Sequence, residues 1–226
     1  MKIQGYFSKG ELFLWGFSVL FIVGAFVAFD RTNHLTLIAS LVGATSLIFC
    51  AKGHPFGQLL MVLFSLLYGG ISYTFAYYGE MMTYLGMTAP MALISLVSWL
   101  RHPYKGNKAQ VAVERLKRGE WWLMLLLTAV VTAAFYFILR AFHTANLLPS
   151  ILSVTTSFIA VYLTFRRSPY YALAYAANDL VLILLWLLAT VEDMSYLSVV
   201  ICFVMFLIND VYGFVSWKRM EKRQQG

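Results

Sequence analysis

Eight apolar runs constrain this chain more than any other feature. They cover residues 12–29, 35–51, 57–78, 82–100, 121–142, 146–165, 170–191 and 195–217, each 17–23 residues long. A helix of that length crosses about 30 Å of hydrocarbon at roughly 1.5 Å per residue. In lipid every backbone N–H and C=O must be satisfied within its own element, so such runs become spanning helices. Together they take 163 of the 226 residues, which leaves short loops and no room for a separate globular domain. The chain is 61% hydrophobic and only 12% charged, against about 25% charged in a soluble domain. That excludes a soluble enzyme, a nucleic-acid binder and a disordered tail. The expected fold class is all-α, a polytopic membrane protein with eight transmembrane helices. The first run exceeds a signal-peptide core, and no A-x-A site precedes Asp30, so it reads as a span.

The net charge of +7 sorts by side. With eight spans and a cytoplasmic N-terminus, 15 of the 17 basic residues fall inside, from Lys2, Lys9 and Lys52 to Arg166, Arg167 and the tail Lys218–Arg223. Only Arg31 and Arg140 fall outside, while Asp30, Glu80, Glu192 and Asp193 occupy the outer loops. An odd number of spans would destroy this positive-inside bias. The basic charge therefore reports orientation in a bacterial inner membrane and contact with anionic headgroups, with no nucleic-acid partner. Both termini are expected in the cytoplasm.

Two weak internal copies follow. Lys52-Gly53-His54-Pro55 matches Arg167-Ser168-Pro169, the prolines 114 apart. Thr45-Ser46 matches Thr156-Ser157, and Ser98-Trp99-Leu100-Arg101 matches Ser216-Trp217-Lys218-Arg219, 118 apart. Each Pro sits where a helix starts, the place its missing N–H costs nothing. The landmarks give a 1+3+1+3 arrangement with two parallel three-helix repeats. Residues 1–34 form an extra helix, 35–101 the first repeat, 102–145 a basic cytoplasmic loop with a linker helix, and 146–226 the second repeat with a basic tail. Within the loop, Ala109–Lys117 reads as an amphipathic helix presenting Val111, Val113 and Leu116 to the membrane. Trp99 and Trp217 read as anchors at the cytoplasmic interface.

Polar groups inside spans are costly and normally face a cavity or a partner. Asn178-Asp179 and Asn209-Asp210 sit at matching depths in the last two spans. Tyr171, Tyr175, Asn178, Leu182 and Trp186 form one helical stripe; Met205, Asn209, Tyr212 and Ser216 form another, with Asp210, Gly213 and Trp217 on its flank. The first repeat adds Ser65, Tyr68 and Ser72, then Tyr84, Met91 and Ser95. These amides, carboxylates and rings suit a small, flat, polar ligand in a central cavity. A cationic ring would gain about 0.5–2 kcal/mol against Trp or Tyr and would be drawn to Asp179 or Asp210. Either aspartate also suits a proton relay or a structural partner of a Tyr hydroxyl. Pro90 marks a kink or hinge in the fourth span, and Glu80 is a candidate for the outer gate. Histidines 34, 54, 102 and 143 lie at loop edges with no HExxH, and neither a GxSxG elbow nor a Walker motif appears. Cys50 and Cys202 form no CxxC. No catalytic residue, metal site or cofactor is expected, so the chain reads as a non-enzyme.

The elements Tyr68-Gly69, Tyr78-Gly79-Glu80-Met81, Pro90-Met91 and Leu207-Ile208-Asn209-Asp210-Val211-Tyr212-Gly213 ahead of Trp217 resemble the PnuC vitamin-transporter family, from span 2 to the C-terminus. The resemblance implies the repeat plan of the SWEET sugar transporters. It implies facilitated diffusion of nicotinamide riboside with alternating access, trapping by a cytosolic kinase, and a homo-oligomer such as a trimer. By matching positions, Asn209 and Tyr212 carry over as ligand-lining residues, with Asn178 on the partner helix. The chain departs from the family pattern at Phe64, Ala92, Leu96 and Ala174. Thiamine, riboflavin and deoxynucleosides therefore stay open as substrates beside the riboside.

Overall fold

The computed structural model describes residues 6–74, 78–144 and 146–226; Lys2 and the end of the third predicted run lie outside them. Among the described residues eight helices are long and apolar enough to cross a membrane: α1 Lys9–Phe29, α2 His34–Ala51, α3 Pro55–Thr74, α4 Tyr78–Arg101, α5 Arg118–Ala141, α6 Leu147–Phe165, α7 Tyr171–Ala189 and α8 Met194–Gln225. Each predicted run therefore falls on a helix, and α1, α4 and α5 start about one turn before the apolar stretch. The start of α1 shows why. Ser8 and Glu11 form a capping box, the Ser8 Oγ accepting from the Glu11 N–H and Glu11 accepting from the Ser8 N–H at 2.6 Å.

Helices α2, α3 and α4 pack in sequence, as do α6, α7 and α8. The two trios meet through α2 against α8 and α4 against α6. Helix α1 lies on α2 and α8, and α5 lies on α6; these two are the least buried spans. The ends of α2, α4, α6 and α8 share one face, which carries most of the basic residues. Asp30, Glu80, Glu192 and Asp193 lie at helix ends on the opposite, acidic face.

The turns at the basic face repeat one another. Gly53 and Arg167 both adopt positive φ, 68° and 56°, each two residues before its proline. Only glycine enters that region freely, so Arg167 is held there. Its Nη1 donates to Ser98 Oγ at 2.9 Å, and its other amine pairs with Glu114. Burial pulls its guanidinium below the usual value, which Glu114 opposes.

Trp99 and Trp217 are not interfacial anchors. Both are fully buried, with ring centroids 5.3 Å apart. Trp99 Nε1 donates to the Thr164 carbonyl at 2.9 Å, and Trp217 Nε1 donates to the Cys50 carbonyl at 2.8 Å. Ser98 Oγ donates to the Phe165 carbonyl and Ser216 Oγ to the Ala51 carbonyl. Each trio's last helix thus caps carbonyls at the end of the other trio's first helix, orphan acceptors that need partners.

The expected helix at Ala109–Lys117 is also corrected. Pro103–Tyr104 (β1) and Asn107–Val111 (β2) form an antiparallel hairpin. Lys105 and Gly106 turn it with φ of 49° and 78°, the positive angles that a tight hairpin turn requires. Val111 faces the protein, fully buried, instead of the membrane. Its N–H donates to the Gly53 carbonyl at 2.9 Å, and the Glu114 N–H donates to the Arg167 carbonyl at 3.1 Å. Residues 102–117 therefore form a strap tied to the turn of each trio. Gln224 at the end of α8 holds it from a third side, through the Val113 N–H and the Val111 carbonyl.

Candidate functional site

The polar residues at mid-depth come from α7 and α8, where two adjacent residues point about 100° apart on a helix. Each Asn-Asp pair is therefore split between two interfaces. On α7, Asn178 turns toward α6: its Oδ1 accepts from Thr156 Oγ1 at 2.8 Å, Ser157 Oγ at 3.0 Å and Ser153 Oγ at 3.4 Å. On α8, Asn209 turns toward α1, donating to Ser18 Oγ at 2.8 Å and to the Met205 carbonyl. The aspartates turn toward each other. Asp179 and Asp210 are both buried, each 4% exposed, and lie close enough to interact with one another across the α7–α8 interface.

The α8 stripe that faces the bundle centre is therefore the flank, Asp210, Gly213 and Trp217. A Cβ at Gly213 would lie 3.5 Å from that of Ala172, and the Tyr171 ring sits 4.9 Å from Trp217. The other stripe serves α1. Tyr212 donates to Glu11 Oε1 at 2.9 Å, and Lys52 closes the cluster at 3.3 Å from the same carboxylate. Glu11 and Ser18 were absent from the expected site, yet they are 4% and 1% exposed. The Ser-x-x-Glu spacing at residues 8–11 was the readable signal for Glu11; nothing in the sequence points Ser18 at Asn209.

An aromatic cage lies on the acidic-face side of the aspartates. Tyr68 is 4.6 Å from Tyr84, 6.3 Å from Trp186 and 5.9 Å from Phe203, and Trp186 is 5.4 Å from Tyr196, all between ring centroids. Tyr175 sits beside Tyr171, one turn from Asp179. Ser65 is fully buried, its hydroxyl donating to the Met61 carbonyl of its own helix. Asn209 Oδ1, Ser72 Oγ and Ser95 Oγ are among the buried polar atoms with no protein hydrogen-bond partner. Among the described residues no group of His, Cys, Asp and Glu could hold a metal ion.

Glu80 lines a cleft of about 60 Å³ at the acidic face with Thr144, Asn146 and Glu192. Pro90 is exposed on α4. The irregularity lies one turn earlier, at Tyr84–Thr88, where a π-turn brings the Ala89 N–H to the Tyr84 carbonyl. Pro90 cannot donate to Gly86 and crowds its carbonyl, and the wide turn absorbs that mismatch.

This architecture has counterparts among known proteins. A family model described as nicotinamide mononucleotide transporter matches residues 33–219. The chain belongs to that family. It is 29% identical over 219 residues to a nicotinamide riboside transporter PnuC of Neisseria mucosa, covering 94% of this chain and 82% of the relative. It is 22% identical over 212 residues to the protein of the same name in Haemophilus influenzae, covering 90% and 88%. Its structure matches the crystal structure of a vitamin B3 transporter PnuC with a TM-score of 0.84 at 25% identity, covering 97% of this chain and 95% of that one. The chain is thus a multi-pass membrane protein of a transporter family.

Proposed function

We propose that the chain is a permease for nicotinamide riboside, a cationic pyridinium nucleoside. The observation that carries this is the Asp179–Asp210 pair, which has no basic residue beside it among the described residues. The family description speaks of a mononucleotide, whose phosphate would bring roughly −1.5 to −2 charges into an acidic, low-dielectric centre. The riboside brings one positive charge instead. Its ring suits the cage of Tyr68, Tyr84 and Trp186, and its hydroxyls suit the unpartnered Asn209 Oδ1, Ser72 and Ser95. Asn178, Tyr175, Tyr212 and Ser65 would then support the walls around it.

Transport is by facilitated diffusion, with the trios α2–α4 and α6–α8 rocking as two parallel repeats. The reciprocal contacts of Trp99 and Trp217 support that reading. So does the matching placement of α1 and α5, each lying on the first helix of the trio that follows it. The basic face is cytoplasmic, in the inner membrane of a bacterium, and Glu80 with Glu192 guards the outer entrance. A uniporter does not accumulate substrate, so a cytosolic kinase phosphorylates the riboside and the product is then excluded by the acidic pair. A homo-oligomer such as a trimer is the working assembly.

Proteoliposomes with the purified chain should take up labelled riboside without ATP and leave the mononucleotide outside. Equal uptake of both, or thermal stabilisation by thiamine or riboflavin but not by the riboside, would overturn the substrate. Two interacting carboxyl groups buried at mid-depth also favour a second reading, proton-coupled uptake. Collapse of uptake with an uncoupler and in Asp179→Asn would select it.

A further inference from the structure

Two cavities on the outside of the bundle meet at Trp121 and Tyr170. One, about 300 Å³, runs between α6 and α7 at bilayer depth and is lined by apolar groups such as Ile159, Leu163, Leu173 and Ala177. The other, about 520 Å³, lies at the basic face, lined by Arg115, Lys218, Ser168 and Glu221. Trp121 stands in the first turn of α5, and Tyr170 immediately precedes α7. Both are half-exposed and line both cavities. Amphipathic rings at a span's end mark the level where hydrocarbon gives way to headgroups.

We propose that this continuous groove is a binding site for an anionic glycerophospholipid. At bilayer depth the only occupant available to the apolar part is an acyl chain. The chemistry of the upper part selects the headgroup. Arg115 and Lys218 face one buried carboxylate, Glu221, through Arg115 Nε at 2.7 Å and Lys218 Nζ at 2.6 Å. Two cations against one anion leave the pocket positive. The Arg115 side chain is 69% exposed and engages Glu221 through Nε, which leaves its planar amine edge for a phosphate. The Lys218 ammonium also lies 5.0 Å from the Tyr170 ring centroid, which fixes it at the mouth of the groove. Basic pockets between spanning helices on one face select anionic headgroups. The site touches the strap through Arg115 and the end of α8 through Lys218, so a bound lipid would join the parts that close the basic face.

Native mass spectrometry of the full chain in detergent, titrated with dioleoylphosphatidylglycerol or dioleoylphosphatidylcholine, tests this. The wild type should retain the anionic lipid preferentially. Arg115→Gln should weaken that lipid about fivefold, the worth of one cation near a headgroup, and leave the zwitterionic lipid unchanged. Ala177→Phe, at an exposed position in the apolar part, should displace both lipids and stays informative if Arg115→Gln folds poorly. Equal retention of the two lipids by wild type would overturn the proposal. So would unchanged retention in Ala177→Phe, or a stable assembly that covers the groove and ignores added lipid.

Discussion

Asn178 is the most heavily committed single residue in the bundle. Three hydroxyls of α6 converge on one of its atoms, and each would otherwise bond a carbonyl of its own helix. Thr156 already shares its proton between Asn178 and the Leu152 carbonyl at 2.9 Å. Asn178→Leu should therefore cost about 1–3 kcal/mol, a buried polar centre losing its acceptor, read as a lower melting temperature in detergent. His54 carries a pH dependence. Its Nδ1 accepts from the Phe56 N–H at 3.0 Å, and burial holds the imidazole below its usual value. The folded state thus favours the neutral ring. Its contribution is present above the unfolded value of about 6.5 and is lost as pH falls through the lower folded value. Acidification across that window should lower the melting temperature of the wild type. The change should be smaller in His54→Asn; an equal drop in both would remove His54 from the account.

Helix contacts put glycine to work at two points. A Cβ on Gly57 would lie 2.7 Å from the Cys50 backbone nitrogen, and one on Gly43 would lie 2.4 Å from the Phe206 ring. Ser46 Oγ also donates to the Gly57 carbonyl at 2.9 Å, which locks α2 against α3. Small residues at such contacts let backbones approach in lipid, where no hydrophobic force drives helices together. Gly57→Val should destabilise by about 1–3 kcal/mol through overpacking. Gly16→Ala, with open space around it, should be neutral or gain up to about 1 kcal/mol from helix propensity. Parallel melting curves of the two variants check the pair. The eight spans themselves were legible from run length, because lipid forbids unsatisfied backbone. The hairpin at 103–111 was not. Its polar strands carry little periodicity, and what holds it is the Gly53 carbonyl 58 residues upstream from Val111.

At the scale of the whole molecule, the strap, both turns and the end of α8 form one closed face. Glu114 is its hub, pairing with Arg166 at 3.1 Å and with Arg167. Removing that charge in Glu114→Gln should loosen the face. A charged hydrogen bond is worth about 1.5–3 kcal/mol, so opening should rise about tenfold or more. Faster maleimide labelling of buried Cys50, in a Cys202→Ala background, would report it; an unchanged rate would show that the strap does not hold the face closed.

The sequence by itself determined the membrane environment, the number of spans, the sorting of charge and the identity of the mid-depth polar residues. Those follow from length, hydropathy and the price of placing charge in lipid. Only the tertiary structure decided which way each polar side chain turns. Neighbours on a helix diverge by about 100°, so Asn-Asp in the sequence cannot say which residue meets its opposite number. In the fold the aspartates meet each other, the amides are drawn to α6 and α1, and the two indoles leave the interface for the core. The cause is the same in each case: a buried polar atom takes the nearest partner, and long-range packing alone determines which partner is near.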